Sequence, residues 1–309
     1  PLHRDVLRVR AWDEAAKVPD AEVPGLDFWR PLLLDHLLAQ EAQTVTQPLQ
    51  TPLTPEQNAA WQRDHLLVLP GVLQGPALDH LRAWIEDLEA RPETPGKWMK
   101  YFERGTQDRQ LCRVEDFVPY HAGLAELLCG DALLARLGEL LGEPAVLFKE
   151  KINYKLPGGA GFTAHQDAPA FDTFGTQYHV TVLIAVDPQT RQNGGLEFSD
   201  PVPEGTLLPQ RADKSVAEAV EAELPWYPLD LPAGSIALFD SFIPHRSGTN
   251  VTDAPRRGLY VTYNRARDGE HRAAYFADKR ANFPPEVERV PGVDYLATAG
   301  RYNVGNPIR

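Results

Sequence analysis

Cysteine, methionine and long apolar runs are the scarcest features of this sequence. Its 309 residues include two cysteines and one methionine. Cys112 and Cys129 are too few for a disulfide framework or a cysteine-based zinc site, and we expect buried thiols, although the sequence alone leaves a single bridge open. No stretch approaches the ~18 apolar residues of a membrane span, so we expect no membrane partner.

Positive charge is also scarce. Lysine and arginine total 31 against 43 aspartates and glutamates, which gives a formal net charge of −12. Binding to nucleic-acid phosphates depends on clustered basic residues, and no such run occurs, so we expect no nucleic-acid partner. Residues 1–17 are charged throughout, where a signal peptide would be apolar, and we therefore expect a cytoplasmic protein. No interface pattern indicates the oligomeric state.

Apolar residues are plentiful by contrast. They make up 43% of the chain, enough for a large core. We divide the sequence into an N-terminal arm (1–53) that ends in an extended Pro/Thr/Gln segment, a main domain (54–265) with a helical insertion near 214–224, and a polar C-terminal tail (266–309). The tail is a candidate lid, because long polar segments beside a compact domain are often functional.

The first half of the main domain has helical patterns. Thr54 begins a Thr-Pro-Glu-Gln signature, which predicts a capped helix start. Residues 65–73 form a short apolar run that predicts a strand. Residues 75–90 carry leucine and isoleucine at spacings of three and four, which predicts an amphipathic helix. A similar pattern over 121–142 is interrupted at Gly130 and predicts two helices.

Beyond residue 145 the pattern changes to short β-branched or aromatic segments separated by turn residues, which predicts strands. Several such strands packed by the earlier helices indicate a mainly β sandwich or barrel rather than a parallel doubly wound sheet. The predicted strands are 145–156, 177–187, 195–200, 234–241 and 257–266.

Three side chains in this region form a candidate metal site. His165 and Asp167 are two residues apart, so they point to the same side of an extended chain. His245 follows a later predicted strand and can complete the set. Two imidazoles and one carboxylate on one face of an octahedral ion leave three positions open, as in non-haem Fe(II) oxygenases. A lone His-x-Asp pair is common by chance, and its position at strand ends strengthens the prediction.

An arginine pair, Arg256 and Arg257, follows His245 by eleven and twelve residues. A fixed guanidinium there can bind a carboxylate through two parallel hydrogen bonds.

Together these motifs resemble the phytanoyl-CoA dioxygenase family of Fe(II)/2-oxoglutarate-dependent oxygenases. The resemblance covers about residues 55–265 and is carried by the segments DHLLVLPGVLQGPALDHLRAWIEDLE, FKEKINYKLPGGAGFTAHQDAPAF, NGGLEFSD and GSIALFDSFIPHRSGTN and by the arginine pair. It implies a double-stranded β-helix (jelly-roll, cupin-like) core. It also implies that His165, Asp167 and His245 are the catalytic residues and bind iron.

By the same resemblance the cosubstrates are 2-oxoglutarate and O2. Arg256 would pair with the distal carboxylate of 2-oxoglutarate, and Arg257 is the competing candidate. Other candidate cosubstrate contacts, which ordinary packing would explain equally well, are Asn153, Phe162, Thr181 and Ser247. Family members that halogenate lack the metal carboxylate, so the presence of Asp167 favours hydroxylation with release of succinate and CO2.

Candidate substrate contacts are less well defined. Lys149, Lys151 and Lys155 alternate along one predicted strand, and we place them on one side of it with Asn153 on the opposite side. If Lys149 and Lys151 face the cavity, they can bind an anionic phosphonate or carboxylate group, a substrate feature known in this family; a solvated sheet edge is an equal alternative. Weaker candidates are Tyr101, Lys100 and Phe171.

The sequence thus predicts a 2-oxoglutarate-dependent hydroxylase of a small polar metabolite. One alternative is oxidation of an acyl group on coenzyme A or a carrier protein. Another is a cupin-like metal or ligand-binding protein without oxygenase activity, such as a zinc hydrolase. Arg256 counts against the last, because such a protein does not need a 2-oxoglutarate arginine.

Overall fold

The computed structural model describes residues 37–104, 109–295, 298 and 302. The chain divides into two compact units, Pro1–Gln40 and Glu41–Arg309. Most of the predicted N-terminal arm lies outside the described residues, and the account below concerns the second unit.

Residues 41–46 of this unit are helical, and six further α-helices have both ends among the described residues. The first begins at Thr54, whose side chain accepts a hydrogen bond from the Gln57 backbone while Gln57 returns one to the Thr54 backbone, which confirms the predicted capping box. The helix break at Gly130 is also confirmed. The helices are α1 (Pro55–Asp64), α2 (Pro76–Ala90), α3 (Ala122–Cys129), α4 (Asp131–Leu141), α5 (Glu218–Glu223) and α6 (Arg272–Asn282).

The same part of the chain contains eleven strands, and all of the pairings between them are antiparallel. They are β1 (Leu66–Leu69), β2 (Met99–Arg104), β3 (Arg109–Glu115), β4 (Ala145–Lys155), β5 (Phe162–His165), β6 (His179–Ala185), β7 (Leu196–Phe198), β8 (Tyr227–Pro228), β9 (Ile236–Asp240), β10 (His245–Ser247) and β11 (Arg256–Arg265).

The strands form a larger and a smaller sheet. The larger has the order β1-β9-β6-β11-β4-β3-β2, and the smaller has the order β5-β10-β7-β8. Non-sequential neighbours in both sheets and wholly antiparallel pairing are typical of a jelly roll. The predicted fold class, mainly β with packed helices around a double-stranded β-helix core, is confirmed.

The two faces of β6 separate the helical core from the interior of the jelly roll. Val180, Val182 and Ile184 pack into the apolar cluster that also contains Leu81 and Leu88 of α2. Because side chains alternate across a strand, the intervening residues point the other way. Of these, Leu183 and Ala185 pack in a second cluster with strands β7 and β9, and Thr181 reaches the cavity described below.

Two expectations are wrong, and one hairpin is missed. Residues 47–50 form a 3-10 helix with Leu49 buried, where the sequence suggested an extended segment, because Leu49 packs in the main core. Cys129 is exposed rather than buried, since it ends α3, and both cysteines are free. The sequence also failed to predict the β2–β3 hairpin as a pair of strands.

The C-terminal region contributes a helix to the buried structure. Tyr275 and Phe276 of α6 pack in a cluster with Tyr101 and Phe148, and Lys279 is completely buried. The helix lies where the sequence predicts one; a lid function for this region stays a prediction. Among the described residues no helix combines the length and apolar character needed to cross a bilayer.

Candidate active site

His165, Asp167 and His245 come together at the edge where β5 pairs with β10. His165 ends β5 and lies directly opposite His245, the first residue of β10. The imidazole rings are 4.2 Å apart between centroids, and His165 Nε2 is 3.8 Å from Asp167 Oδ1. One ligand atom from each of the three residues falls within 4.8 Å of the others. These are ligands and a geometry that suit a first-row metal such as iron.

Backbone carbonyls orient both imidazoles. His165 Nδ1 lies 2.7 Å from the Thr163 carbonyl oxygen, and His245 Nδ1 lies 3.1 Å from the Ile243 carbonyl oxygen. Each contact places the proton on Nδ1 and leaves Nε2 as a lone-pair donor, which is the usual arrangement in metal-binding histidines. Burial, with the neighbouring His245, lowers the pKa of His165 to about 3, so the ring is neutral and able to bind a metal.

Asp167 supplies the negative charge of the set. Burial alone would raise the pKa of this carboxyl, but His245, His165, Lys151 and Lys149 outweigh that effect and lower it. Thr181 Oγ1 donates a long hydrogen bond of 3.5 Å to Asp167 Oδ2. Asp167 is therefore ionised at neutral pH.

The cavity in front of these residues is lined on its polar side mainly by cations. It contains about 710 Å³ of empty space, including its opening to solvent. The acidic and basic lining side chains outside the three candidate ligands are Glu103, Arg113, Lys151, Lys155 and Arg256. This excess of basic over acidic side chains favours anionic ligands, because a bound anion pairs with the arginines and stabilises the charged form of the lysines.

Arg256 lies at one end of this cavity and is 2% exposed. It donates to the hydroxyl of Tyr260 at 3.1 Å and to the carbonyl of Gly194. Its Nε is buried without a hydrogen-bond acceptor among the described residues. An orphaned guanidinium N–H inside a cavity suits a carboxylate ligand such as the distal end of 2-oxoglutarate.

Lys155 supports the same end of the cavity. Its amine lies 3.1, 2.9 and 2.8 Å from Gly194 O, Ser247 Oγ and Gly248 O. Gly194 has φ +74°, and a Cβ at this position would lie 2.6 Å from Lys155 Cδ and from Gly248 O. A glycine is thus required for this close approach.

Arg257 points away from the cavity. It donates to both carboxylate oxygens of Asp187 at 2.8 and 3.0 Å and to Glu86 at 3.0 Å. Strand alternation explains the difference between the neighbouring arginines, since consecutive residues of β11 lie on opposite faces.

All four of the other candidate cosubstrate residues line the cavity: Asn153, Phe162, Thr181 and Ser247. Asn153 contradicts one sequence expectation, because it lies on the same face of β4 as the lysines. Residues 149, 151, 153 and 155 are separated by even steps and therefore share a face.

Among the candidate substrate contacts, Lys151 lines the cavity and Lys149 lies beside it with 7% exposure. Lys149 Nζ is 4.4 Å from the centre of the Phe171 ring, which is fully buried and forms the wall behind it. Tyr101 donates to the Phe283 carbonyl in the cluster beneath α6, and Lys100 donates to backbone carbonyls of α2 and its C-terminus. The last two are outside the cavity lining.

Sequence reasoning missed Arg113 and Cys112, which line the cavity from the β2–β3 hairpin together with Glu103. The only available signal was the alternation of polar and apolar residues through RQLCRVE, which also fits an exposed strand.

A jelly roll with two histidines and one carboxylate at the edge of a cavity, beside a buried arginine, defines the class of non-haem iron oxygenases. The sequence model of the phytanoyl-CoA dioxygenase (PhyH) family matches residues 61–258. The chain belongs to this family and is a 2-oxoglutarate-dependent non-haem iron dioxygenase.

Two relatives are similar over most of their length. A 2-aminoethylphosphonate dioxygenase from an uncultured bacterium is 46% identical, over 83% of this chain and 98% of the relative. A methylphosphonate hydroxylase from Gimesia maris is 39% identical, over 76% of this chain and 90% of the relative.

Solved structures agree on the fold. The crystal structure of EctD from S. alaskensis with 2-oxoglutarate and 5-hydroxyectoine superposes with a TM-score of 0.60 at 20% identity, covering 70% of this chain and 77% of that one. At this identity the likeness concerns the fold.

Proposed function

We propose that this dioxygenase hydroxylates a small organophosphonate and uses Fe(II), 2-oxoglutarate and O2. The names of its two similar relatives support this substrate class, because the chain covers nearly the full length of both. The proposal also needs a place in the cavity for a doubly charged anion in addition to 2-oxoglutarate.

The observation that carries the proposal is a pair of lysines without acceptors, of which Lys149 is buried and Lys151 is half-buried. Lys149 Nζ lies over the rings of Phe171 and Tyr275, and Lys151 Nζ lies 5.5 Å from the centre of the Tyr260 ring. Within the described part of the chain neither amine has a hydrogen-bond acceptor. Such groups are costly to bury unless a ligand supplies the missing charge.

The charges of the cavity favour a dianion. Fe(II) together with the keto-acid end of 2-oxoglutarate and Asp167 leaves little net charge at the metal. Arg256 and Lys155 balance the distal carboxylate. Lys149 and Lys151, which lie near Asp167, then remain without an anionic ligand, and the oxygens of a phosphonate group would balance their charge.

In this proposal each residue has a defined task. His165, Asp167 and His245 hold iron, which with 2-oxoglutarate supplies the oxidising chemistry that consumes O2 and releases succinate and CO2. Arg256 and Lys155 bind and orient the cosubstrate. Lys149 and Lys151 bind the phosphonate and so direct the adjacent carbon toward the metal.

Substrate-stimulated succinate release tests the proposal. Iron-loaded protein is incubated with 2-oxoglutarate and, in separate reactions, 2-aminoethylphosphonate, methylphosphonate, 3-aminopropanoate or an acyl-CoA. We expect stimulation by a phosphonate, with phosphorus NMR showing hydroxylation at the carbon next to phosphorus. Lys151→Met is expected to raise KM for that phosphonate roughly tenfold or more, since a hydrogen-bonded charge contact is lost.

Lys97→Met is the matched control, because Lys97 is exposed and outside the cavity lining. Stimulation by acyl-CoA or by the carboxylate alone would reject the phosphonate assignment. Equal KM values for Lys151→Met and the control would reject the role of Lys151.

A further inference from the structure

Gln189 is a buried glutamine beside the arginine that binds the cosubstrate in the proposed function. It lies in the loop after β6 and is 1% exposed. Its backbone N–H donates to the Leu231 carbonyl at 2.8 Å, and its own carbonyl accepts from the Leu231 N–H at 2.9 Å. These two bonds fix the backbone, so the side chain projects from a constant position.

The side-chain amide of Gln189 contacts the guanidinium of Arg256. Gln189 Oε1 accepts a hydrogen bond of 3.4 Å from Arg256 Nη1. The same nitrogen donates to the Tyr260 hydroxyl at 3.1 Å, and Nη2 donates to the Gly194 carbonyl. The Gln189 bond is long, but its donor is charged, and a charge-assisted hydrogen bond is stronger than a neutral one. Acceptors on three sides therefore orient the guanidinium.

A glycine in β11 leaves the space for this amide. Gly258 lies between Arg256 and Tyr260 on the same face of the strand, because the three residues are two apart. A Cβ at Gly258 would lie 2.9 Å from Gln189 Nε2 and 3.0 Å from Cε2 of the Tyr260 ring. The φ of Gly258 is not positive, so the glycine is needed for space. The Gln189 amide thus occupies the place of a side chain at position 258.

Packing alone does not explain a glutamine at this position. Gln189 Nε2 is buried without an acceptor among the described residues. An unpaired buried amide donor lowers stability, and methionine would fill the same space without that cost. The residue is explained by its oxygen, which gives Arg256 an acceptor.

The acceptors around Arg256 are all neutral. They are an amide oxygen, a hydroxyl and a backbone carbonyl, and in the described part of the chain no carboxylate pairs with this arginine. Arg257, which points away from the cavity, pairs instead with the carboxylates of Asp187 and Glu86. A neutral acceptor orients a guanidinium without neutralising it, so the charge of Arg256 stays available for an anionic ligand.

We propose that Gln189 is a positioning residue for 2-oxoglutarate, whose side-chain oxygen holds the Arg256 guanidinium in a fixed orientation with its Nε–H unpaired. The inference rests on the role of Arg256 in the proposed function. Gln189 is outside the cavity lining and acts through Arg256. A guanidinium that is fixed before binding loses less conformational entropy when the distal carboxylate arrives, so the cosubstrate binds more tightly.

Gln189→Met tests the inference, because it removes the acceptor oxygen and keeps the length of the side chain. The Kd of 2-oxoglutarate is measured by anaerobic titration of the Fe(II) protein, from the visible charge-transfer band. We expect this Kd to rise about tenfold, since a charge-assisted hydrogen bond is lost. The Kd of Fe(II) in the absence of 2-oxoglutarate is measured separately and should change less than about twofold, because Arg256 is not a metal ligand.

A second variant tests why the acceptor is neutral. Gln189→Glu keeps an oxygen beside Arg256 but adds a negative charge, which pairs with the guanidinium and repels the distal carboxylate. We expect its Kd for 2-oxoglutarate to exceed that of Gln189→Met. A Kd equal to that of the wild type would show that the neutral acceptor has no role and would overturn the inference.

An Arg256→Gln background separates positioning from packing. In this background Gln189→Met should change the Kd of 2-oxoglutarate less than about twofold, because no guanidinium is left to hold. A packing defect would act equally in both backgrounds. Additive effects of the two substitutions would therefore contradict a positioning role.

Gln192→Met is the matched control, because Gln192 is an exposed glutamine of the same loop. Its Kd values for 2-oxoglutarate and Fe(II) should equal those of the wild type. If Gln189→Met binds 2-oxoglutarate as tightly as this control, the inference is wrong. Equal losses of Fe(II) and 2-oxoglutarate affinity in Gln189→Met would also overturn it, since they indicate general damage to the fold.

Failure of the proposed function gives a different result. If Arg256→Gln leaves the Kd of 2-oxoglutarate unchanged, the proposed role of Arg256 is wrong and Gln189 has nothing to position. If Arg256→Gln raises this Kd and Gln189→Met does not, only the further inference is wrong. The substrate does not enter these measurements, so they decide the role of Gln189 whether or not a phosphonate is hydroxylated.

Discussion

Lys151 and Lys155 lie on the same face of the same strand, but their amines differ in the hydrogen-bond acceptors around them. The Lys155 amine has three oxygen neighbours within 3.1 Å, contributed by Gly194, Ser247 and Gly248. The Lys151 amine lies over the Tyr260 ring and has no hydrogen-bond acceptor among the described residues. The protein itself supplies hydrogen-bond acceptors at one end of β4, and we propose that a ligand supplies them at the other.

The difference fits two ligands with different demands. The cosubstrate is the same in every turnover, so a fixed set of hydrogen bonds can hold Arg256 in the position that binds it. A substrate site instead gains selectivity when only the correct ligand supplies hydrogen-bond partners for its polar groups. A wrong ligand leaves those groups unpaired, which costs binding free energy. In the proposed function the metal residues serve both ligands.

Removing a metal residue should abolish activity whichever end of β4 is considered, and it is the largest effect that we expect. We expect His165→Ala to reduce substrate-dependent succinate release at least about 1000-fold, because iron and both anions lose their common anchor. Metal content and the charge-transfer band check this directly. His80→Ala on α2 is the control. Retained iron and activity in His165→Ala would contradict the assignment of this residue as a ligand.

The arginine pair tests the cosubstrate end alone. Arg256→Gln should raise the Kd of 2-oxoglutarate roughly 10- to 100-fold, because a buried charge-assisted contact is lost. Arg257→Gln should leave that Kd unchanged and lower the melting temperature, since Arg257 pairs with Asp187 outside the cavity. Anaerobic titration with 2-oxoglutarate measures both. The reverse pattern would assign the cosubstrate to Arg257.

Proton uptake on 2-oxoglutarate binding should show whether the Lys155 amine is neutral in the free protein. Burial and the nearby Arg256 lower the pKa of Lys155 to about 6, so above that pH the free amine is mostly neutral. A bound carboxylate favours the ammonium form and raises the pKa, so 2-oxoglutarate binding at about pH 8 should take up close to one proton. Calorimetry in two buffers of different ionisation enthalpy measures this number.

Lys155→Arg provides the comparison for that experiment. Its guanidinium is charged at every accessible pH, so binding should proceed with no uptake at this position. If the wild type also takes up no proton, Lys155 is already charged in the free protein, and the two ends of β4 differ less than the contacts suggest.

Much of this site is predictable because its signals are local in sequence. His165 and Asp167 are two residues apart, and the Arg256 and Arg257 pair follows His245 at a short fixed distance. Strand alternation then decides which arginine faces the cavity. The same alternation, applied consistently, would have placed Asn153 with the lysines.

The buried network around Arg113 is not predictable in this way, because its contacts join residues far apart in the chain. Arg113 and Asn153 are 40 residues apart, and Lys279 is 164 residues from Glu115. Taken alone, each of these polar residues is typical of a protein surface. Only the pairing of β3 with β4 and the packing of α6 bring them into one buried network.

A change that affects stability alone should separate folding from both ligand sites. Thr54→Ala removes the side-chain oxygen that caps α1, and we expect it to lower the free energy of unfolding by about 1 kcal/mol. Thr54→Ser keeps the cap and should cost less. Neither should change the Kd of 2-oxoglutarate or the phosphonate KM, since α1 is outside the cavity lining. If Thr54→Ala shifted either constant, changes in stability would reach the ends of β4, and the effects of the Lys151 and Arg256 variants would need correction for it.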